Sequence, residues 1–218
     1  MTRQFKKRTA AANQGRHARR ELLNAVTRRY ILEAATRIIS HDGLQKLTMD
    51  NIAAEAGMAK GTVYLHFMAK NILMEALKEN SLSPLVSEVR TLLDGDLPPA
   101  EKIRLFVFQH MRYFDQRRDF FRVLVYDRDI AMLRLKRRQS SLFQTILKKV
   151  ADVLHKGMHQ RVFRKCDPLK VAAVLLEATI AMNQQRLCSD APCLVEEDAR
   201  LITDIFLNGL KYSPKVGS

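Results

Sequence analysis

The chain holds 218 residues, 47% of them hydrophobic, and carries a formal net charge of +14. A core of that size needs no disulfide staples, and the three cysteines, Cys166, Cys188 and Cys193, are too few and too irregular for a disulfide framework; they fit a reducing, cytoplasmic setting as small apolar residues. No stretch approaches the roughly 18 uninterrupted apolar residues of a membrane span, and no apolar run follows the charged N-terminus as it would in a signal peptide.

The charge is uneven along the chain. Residues 1–30 hold nine Lys/Arg and one acid, Glu21, for a net +8. Residues 31–80 come to −1 and residues 81–218 to +7. The basic excess therefore lies mainly in a segment, residues 1–27, that precedes the first helix with an apolar face. Such a segment reads either as a phosphate-binding arm or as a solvated end.

Strand and hairpin signals are nearly absent, and helical periodicity runs through most of the sequence. The first periodic helix is predicted over about 28–41, where Ile31, Ala34, Ala35, Ile38 and Ile39 share one face. Gly43 stops it by taking the left-handed conformation. Thr48 is placed to cap a short helix over about 49–56, with Met49, Ile52, Ala53 and Ala56 inward. Gly57 breaks that helix and a second short one follows over about 60–67. A long helix starts near Lys70 and is either kinked or split by Pro84. Asp94 to Pro99 is the strongest loop signal in the chain. Five more helices are predicted, at about 99–116, 119–126, 129–157, 168–187 and 195–211, with Pro168 in a first turn after Asp167 and Gly157 near a helix end. The expected class is all-α with about nine helices. A three-helix domain, 28–70, is followed by a larger helical domain, 71–218.

The functional signal lies between Thr48 and Phe67. Two short helices separated by a tight turn at Gly57 have the spacing of a DNA-binding helix-turn-helix. Ala53 is small where the helices cross, and Ile52, Val63 and Phe67 face the first helix. The second helix is too polar and too short to serve only as core. Its outward positions are Lys60, Gly61, Thr62, Tyr64 and His66. Gly61 permits close backbone approach, the hydroxyls of Thr48, Thr62 and Tyr64 suit phosphate, and Lys60 suits phosphate or a base edge. Lys70 adds charge at the start of the fourth helix, whose dipole favours the same anion.

The run from Ile31 to Leu77 resembles the N-terminal domain of TetR-family (TetR/AcrR-like) regulators. The shared pattern includes Ala34-Ala35, Gly43, Thr48, Ile52-Ala53, Ala56-Gly57, Lys60-Gly61-Thr62-Val63-Tyr64, His66-Phe67 and Lys70. Ala59 and Ala69 depart from it, standing where the family commonly caps helices 3 and 4 with a hydroxyl; each loss costs about 1 kcal/mol of local helix stability. The resemblance implies a homodimer whose last two helices pair with their copies. It implies a C-terminal pocket for a small effector, and most often repression. Helix phase offers Phe106, His110, Met111, Phe114, Tyr126 and Asn183 as pocket lining, a set that suits a lipophilic ligand. The helix over 168–187 offers Val171, Ala172, Leu175, Ala178, Thr179 and Met182 to the dimer. The last helix offers Ala199, Ile202, Ile205, Phe206 and Gly209.

The expected partners are thus double-stranded operator DNA of near-palindromic sequence, a small-molecule effector and a second copy of the chain, with no membrane. The alternative is a sequence-indifferent architectural DNA binder that uses the basic arm. Catalysis is not expected, since no paired base and nucleophile and no phosphate loop is evident. No cofactor or metal is expected either. His155 and His159 are four apart, but no Glu stands between them in a zinc-protease arrangement. Cys188 and Cys193 lack Cys-x-x-Cys spacing, and Arg134, Lys136, Arg137 and Arg138 read as a solvated helix face.

Overall fold

The computed structural model describes residues 2–126, 141–189 and 194–211. They form nine α-helices: α1 Thr2–Asp42, α2 Met49–Glu55, α3 Lys60–His66, α4 Lys70–Asp94, α5 Pro99–Asp115, α6 Arg118–Tyr126, α7 Ser141–His159, α8 Pro168–Cys188 and α9 Val195–Leu210. Extended pairing among the described residues is limited to one isolated antiparallel bridge between Phe163 and Lys211. The all-α class follows, as the periodicity predicts. No helix of the described residues is long and apolar enough to cross a membrane. The chain divides into two compact units, Met1–Asn80 and Ser81–Ser218.

In the first unit, α1 begins far earlier than expected. It runs 41 residues from Thr2, so the basic segment is helical and continuous with the first periodic helix. Periodicity detects a face that packs, and the described side chains of this segment from Gly15 to Ala25 are exposed. The segment also has no proline, one glycine (Gly15), and many Ala and Arg, which are strong helix formers. The C-terminal part of α1 buries Ile31, Ala34, Ala35, Ile38 and Ile39. Gly43 ends the run at φ 80°, with its N–H donating to the Ile39 carbonyl at 3.2 Å. Across from this face lie Ile52 and Ala53 of α2, Val63 of α3 and Phe67, all buried. Each large apolar side chain removed from water contributes about 1.5–3 kcal/mol.

The helix α4 runs through Pro84 without splitting. A proline has no N–H, so the Asn80 carbonyl lacks its usual partner four residues on. The next carbonyl, Ser81, accepts from the Tyr113 hydroxyl of α5. The boundary between the two units falls in that same turn.

In the second unit α5 is the central helix. It packs against α7, α8 and α9 and buries Ile103, Phe106, Val107, His110, Met111 and Tyr113. Pro99 stands in its first turn, and the buried Lys102 Nζ donates to the Leu93 carbonyl at 2.7 Å, a cation at the negative end of α4. Asp167 caps α8, its Oδ1 accepting from the N–H of Leu169 at 3.0 Å and of Lys170 at 3.2 Å. Gly157 does not end α7. It is buried inside it, and a Cβ there would stand 2.2 Å from Cδ2 of Phe163, so the glycine admits that ring. Buried Arg186 of α8 bonds Asp115 of α5 at 2.9 Å and Asp198 of α9 at 2.6 Å, tying three helices together. The expected helical stretch before Ser141, with Arg134, Lys136, Arg137 and Arg138, lies outside the described residues, as does Cys193.

Candidate nucleic-acid interface

The helix-turn-helix is built by local rules. Thr48 takes an extended conformation and its Oγ1 accepts from the Asn51 N–H at 3.1 Å, capping α2; the hydroxyl keeps its own hydrogen to donate. The turn between α2 and α3 contains Gly57 at φ 64°, a left-handed value that favours glycine. The Met58 N–H donates back to the Ala53 carbonyl at 2.9 Å and closes the turn. No side chain caps α3, because Ala59 has none to offer.

Only Val63 of α3 is buried. Lys60, Gly61, Tyr64 and Leu65 are exposed, and Thr62 and His66 are half-buried. A Cβ on Gly61 would meet nothing within 4 Å, so the fold itself does not require glycine there. The helix therefore presents a surface its own domain leaves open. Thr48 and Lys70 are exposed at its two flanks, at the start of α2 and of α4.

Three contacts at this surface carry no signal in the sequence. Lys60 Nζ stands 2.6 Å from Oδ1 of Asp50 in the first turn of α2, with both side chains more than half exposed. The hydrogen bond to that carboxylate, reinforced by its charge, raises the Lys60 pKa above the ordinary 10.5. Arg28 Nη1 donates to the His66 carbonyl at 3.2 Å, and its guanidinium lies 4.2 Å from the centre of the Phe67 ring. That bond spans 38 residues and pins the C-terminal end of α3 to α1. Arg37 Nε donates to Oε1 of Glu55 at 2.6 Å and ties α1 to the end of α2. Leu65 and Met68, 85% and 77% exposed, add apolar surface beside the polar positions. Those residues escape a search for hydroxyls and charges.

The residues that helix phase offers as effector lining are buried in the second unit. Phe106, His110, Met111 and Asn183 lie inside, and Phe114 is half-buried. Asn183 Nδ2 and His110 Nδ1 are 3.0 Å apart, a buried polar pair between α8 and α5. His110 stacks on Phe114 with ring centres 5.1 Å apart, and Phe114 meets Phe121 of α6 at 4.3 Å. The Tyr126 side chain lies outside the described residues. An open groove of about 680 Å³ runs between α4 and α7, lined by Ser83, Val86, Ser87, Arg90, Thr91 and Thr145 among others; it does not include the predicted lining.

His155 Nε2 and His159 Nε2 are 3.2 Å apart on the exposed face of α7. No group of three His, Cys, Asp or Glu that could hold a metal occurs among the described residues. Cys166 and Cys188 are free. The faces of α8 and α9 divide in two. Ala172, Leu175, Thr179, Ala199 and Ile202 are already buried within the chain, whereas Ala178, Ile205 and Gly209 are exposed. Exposed Val174 and Leu201 join the second set.

Two family models match the chain. One describes bacterial regulatory proteins of the tetR family and covers residues 31–77. The other describes a tetracyclin repressor-like C-terminal domain and covers residues 96–184. The HTH-type transcriptional regulator YvdT of Bacillus subtilis is 42% identical over 66 residues, 30% of this chain and 34% of that one. A TetR/AcrR-family regulator structure from Thermobifida fusca superposes with a TM-score of 0.67 at 22% identity, over 84% of this chain and 97% of that one. The FadR repressor of Thermus thermophilus, solved in complex with lauroyl-CoA, superposes with a TM-score of 0.66 at 20% identity, over 88% of this chain and all of that one.

Proposed function

We propose that this chain, which belongs to the TetR family of bacterial regulatory proteins, is a cytoplasmic repressor that leaves a near-palindromic operator when a small lipophilic effector binds. The observation that carries the reading is the exposed face of α3. One residue of that helix anchors it in the core, and Lys60, Gly61, Thr62, Tyr64 and His66 remain for DNA. Thr48 and Lys70 supply phosphate contacts at either side, and α3 enters the major groove. The chain acts by binding and not by catalysis.

The exposed apolar stripe of Val174 and Ala178 on α8, and Leu201, Ile205 and Gly209 on α9, is covered by a second copy of the chain. A two-fold dimer then sets two recognition helices about 34–36 Å apart, or a further repeat of the duplex, which requires a near-palindrome. In the effector domain the aromatic cluster of Phe106, Phe114 and Phe121 supplies apolar contact, and the His110–Asn183 pair supplies the polar group that orients the ligand. The Thermus FadR structure holds lauroyl-CoA, so a fatty-acyl thioester is the first effector class to examine. Effector and DNA lower each other's affinity by one factor, because each selects a different state of the dimer.

Selection of duplexes from a random pool at fixed, near-physiological salt tests the reading. The wild type should enrich a near-palindrome bound at least about 1000-fold more tightly than scrambled duplex. Tyr64→Ala should lose most of that preference while remaining dimeric, and lauroyl-CoA should release the DNA. Equal, salt-sensitive binding to every duplex would instead support the architectural alternative.

A further inference from the structure

We infer that the N-terminal part of α1 is a second DNA-binding element, a basic helical rod that lies along the phosphates flanking the half-site read by α3. The inference rests on the operator-binding reading above and adds to it a phosphate-binding surface outside the helix-turn-helix.

Four observations converge on it. First, the segment is not a tether, because α1 is one helix from Thr2 to Asp42. Its first 26 residues rise about 39 Å at the α-helical 1.5 Å per residue, enough to follow about one further turn of duplex. Second, its charge is unbalanced. Residues 1–30 carry a net +8, Arg16, Arg19 and Arg20 are exposed, and the single acid, Glu21, is paired with His17 at 3.3 Å. Arg16 and Arg20 stand one helical turn apart, where like charges destabilise a helix; a polyanion relieves that repulsion. Third, the rod departs from the right place. Arg28, at its base, is bonded to the carboxyl-terminal carbonyl of α3 and stacked on Phe67, so the rod begins beside the recognition helix. Fourth, residues 2–27 hold seven Lys/Arg against four apolar residues larger than alanine, Phe5, Leu22, Leu23 and Val26, so charge is the property that selects the partner.

The test uses the full-length chain with Arg16→Gln, Arg19→Gln and Arg20→Gln together, substitutions that keep good helix formers on the surface. Binding is read by anisotropy on the duplex selected by the wild type, once trimmed to the palindrome and once with about 12 base pairs of flank on each side. The slope of log K against log salt falls by about 0.9 for each phosphate that the variant no longer neutralises, up to about 2.7 for three. The variant's deficit on the flanked duplex should then grow by up to about 40-fold between 200 and 50 mM salt. The wild type should prefer the flanked duplex and the variant should not. An unchanged slope, or equal flank preference in both proteins, would overturn the rod as a DNA-binding element. If the wild type selected no duplex at all, the operator reading itself would fall, and the two failures are therefore distinct.

Discussion

Removing the Asp50 carboxylate should free Lys60 for phosphate and strengthen binding to DNA. In the free chain Lys60 Nζ is 2.6 Å from Oδ1 of Asp50 on an open surface, with no burial to hold the pair together. A lysine so paired neutralises a phosphate only by giving up its carboxylate. Asp50→Asn leaves the amide in place of the acid and returns one full positive charge to the face of α3. The expected change is one additional phosphate neutralised, a slope of log K against log salt steeper by about 0.9. The variant's advantage over the wild type then grows by about 3.5-fold between 200 and 50 mM salt. The pKa of Lys60 is raised, so its pairing is fully present below the unfolded value of 10.5 and is lost only as pH rises through the higher folded value. The effect should therefore be flat from about pH 6 to 9. Anisotropy titrations on a selected duplex and on scrambled duplex measure it, with Asp50→Asn/Lys60→Met as the control. Unchanged slope, weaker binding, or a gain that survives in the double variant would refute the reasoning; in the last case Asp50 acts by its own repulsion of DNA.

Other substitutions separate positioning from direct phosphate binding. Arg28→Ala removes the bond to the His66 carbonyl and the stack on Phe67, and should weaken binding to the selected duplex by about tenfold or more. Its salt slope should stay unchanged, because Arg28 acts through α3; a slope lower by about 0.9 would make it a phosphate ligand instead. Gly157→Ala should destabilise, although alanine is the better helix former by about 1 kcal/mol. The new Cβ would stand 2.2 Å from the buried ring of Phe163, and overpacking of that kind costs about 1–3 kcal/mol. Thermal unfolding should show a lower midpoint, and Phe163→Leu in the same chain should restore part of it. Arg186→Ala should cost about 3 kcal/mol by removing the buried cation that Asp115 and Asp198 share. Arg186→Ala/Asp198→Ala should cost less than the sum of its parts in chemical denaturation.

The helix-turn-helix is legible in the sequence because every device there is local. A cap acts over three residues, as Thr48 does on Asn51, and a left-handed glycine acts on its own turn, as Gly43 and Gly57 do. The apolar positions of α1 recur at helical spacing and are all buried. The start of α1 is not legible for the converse reason. Its described side chains from Gly15 to Ala25 are exposed, so no packed face marks the helix there, and only the run of good formers without proline speaks for it. Gly157 shows the same limit from the other side. Read locally it is a helix stop, whereas in the fold it is a gap for a ring six residues later.

What lies beyond local reach is the pairing of surfaces, and there the helical wheel misleads in a definite way. A wheel sorts apolar from polar, but α8 and α9 are apolar on two faces. Leu175 and Ile202 point into the chain's own core, and Val174, Leu201 and Ile205 point out of it. Adjacent apolar residues such as Val174 and Leu175 differ by about 100° of helix, so both cannot serve the same partner. An exposed apolar stripe costs solubility unless something covers it, which is why the outward set, and not the combined one, is the surface proposed for a second copy. The same reasoning applies to charge. Lys60 and Arg28 are both cations beside α3, yet one faces a carboxylate ten residues away and the other a carbonyl 38 residues away. Composition alone assigns both to phosphate. The geometry gives Lys60 an exposed carboxylate partner and Arg28 a bond that ties α3 to α1, so substitution of the two should separate in the salt dependence of binding.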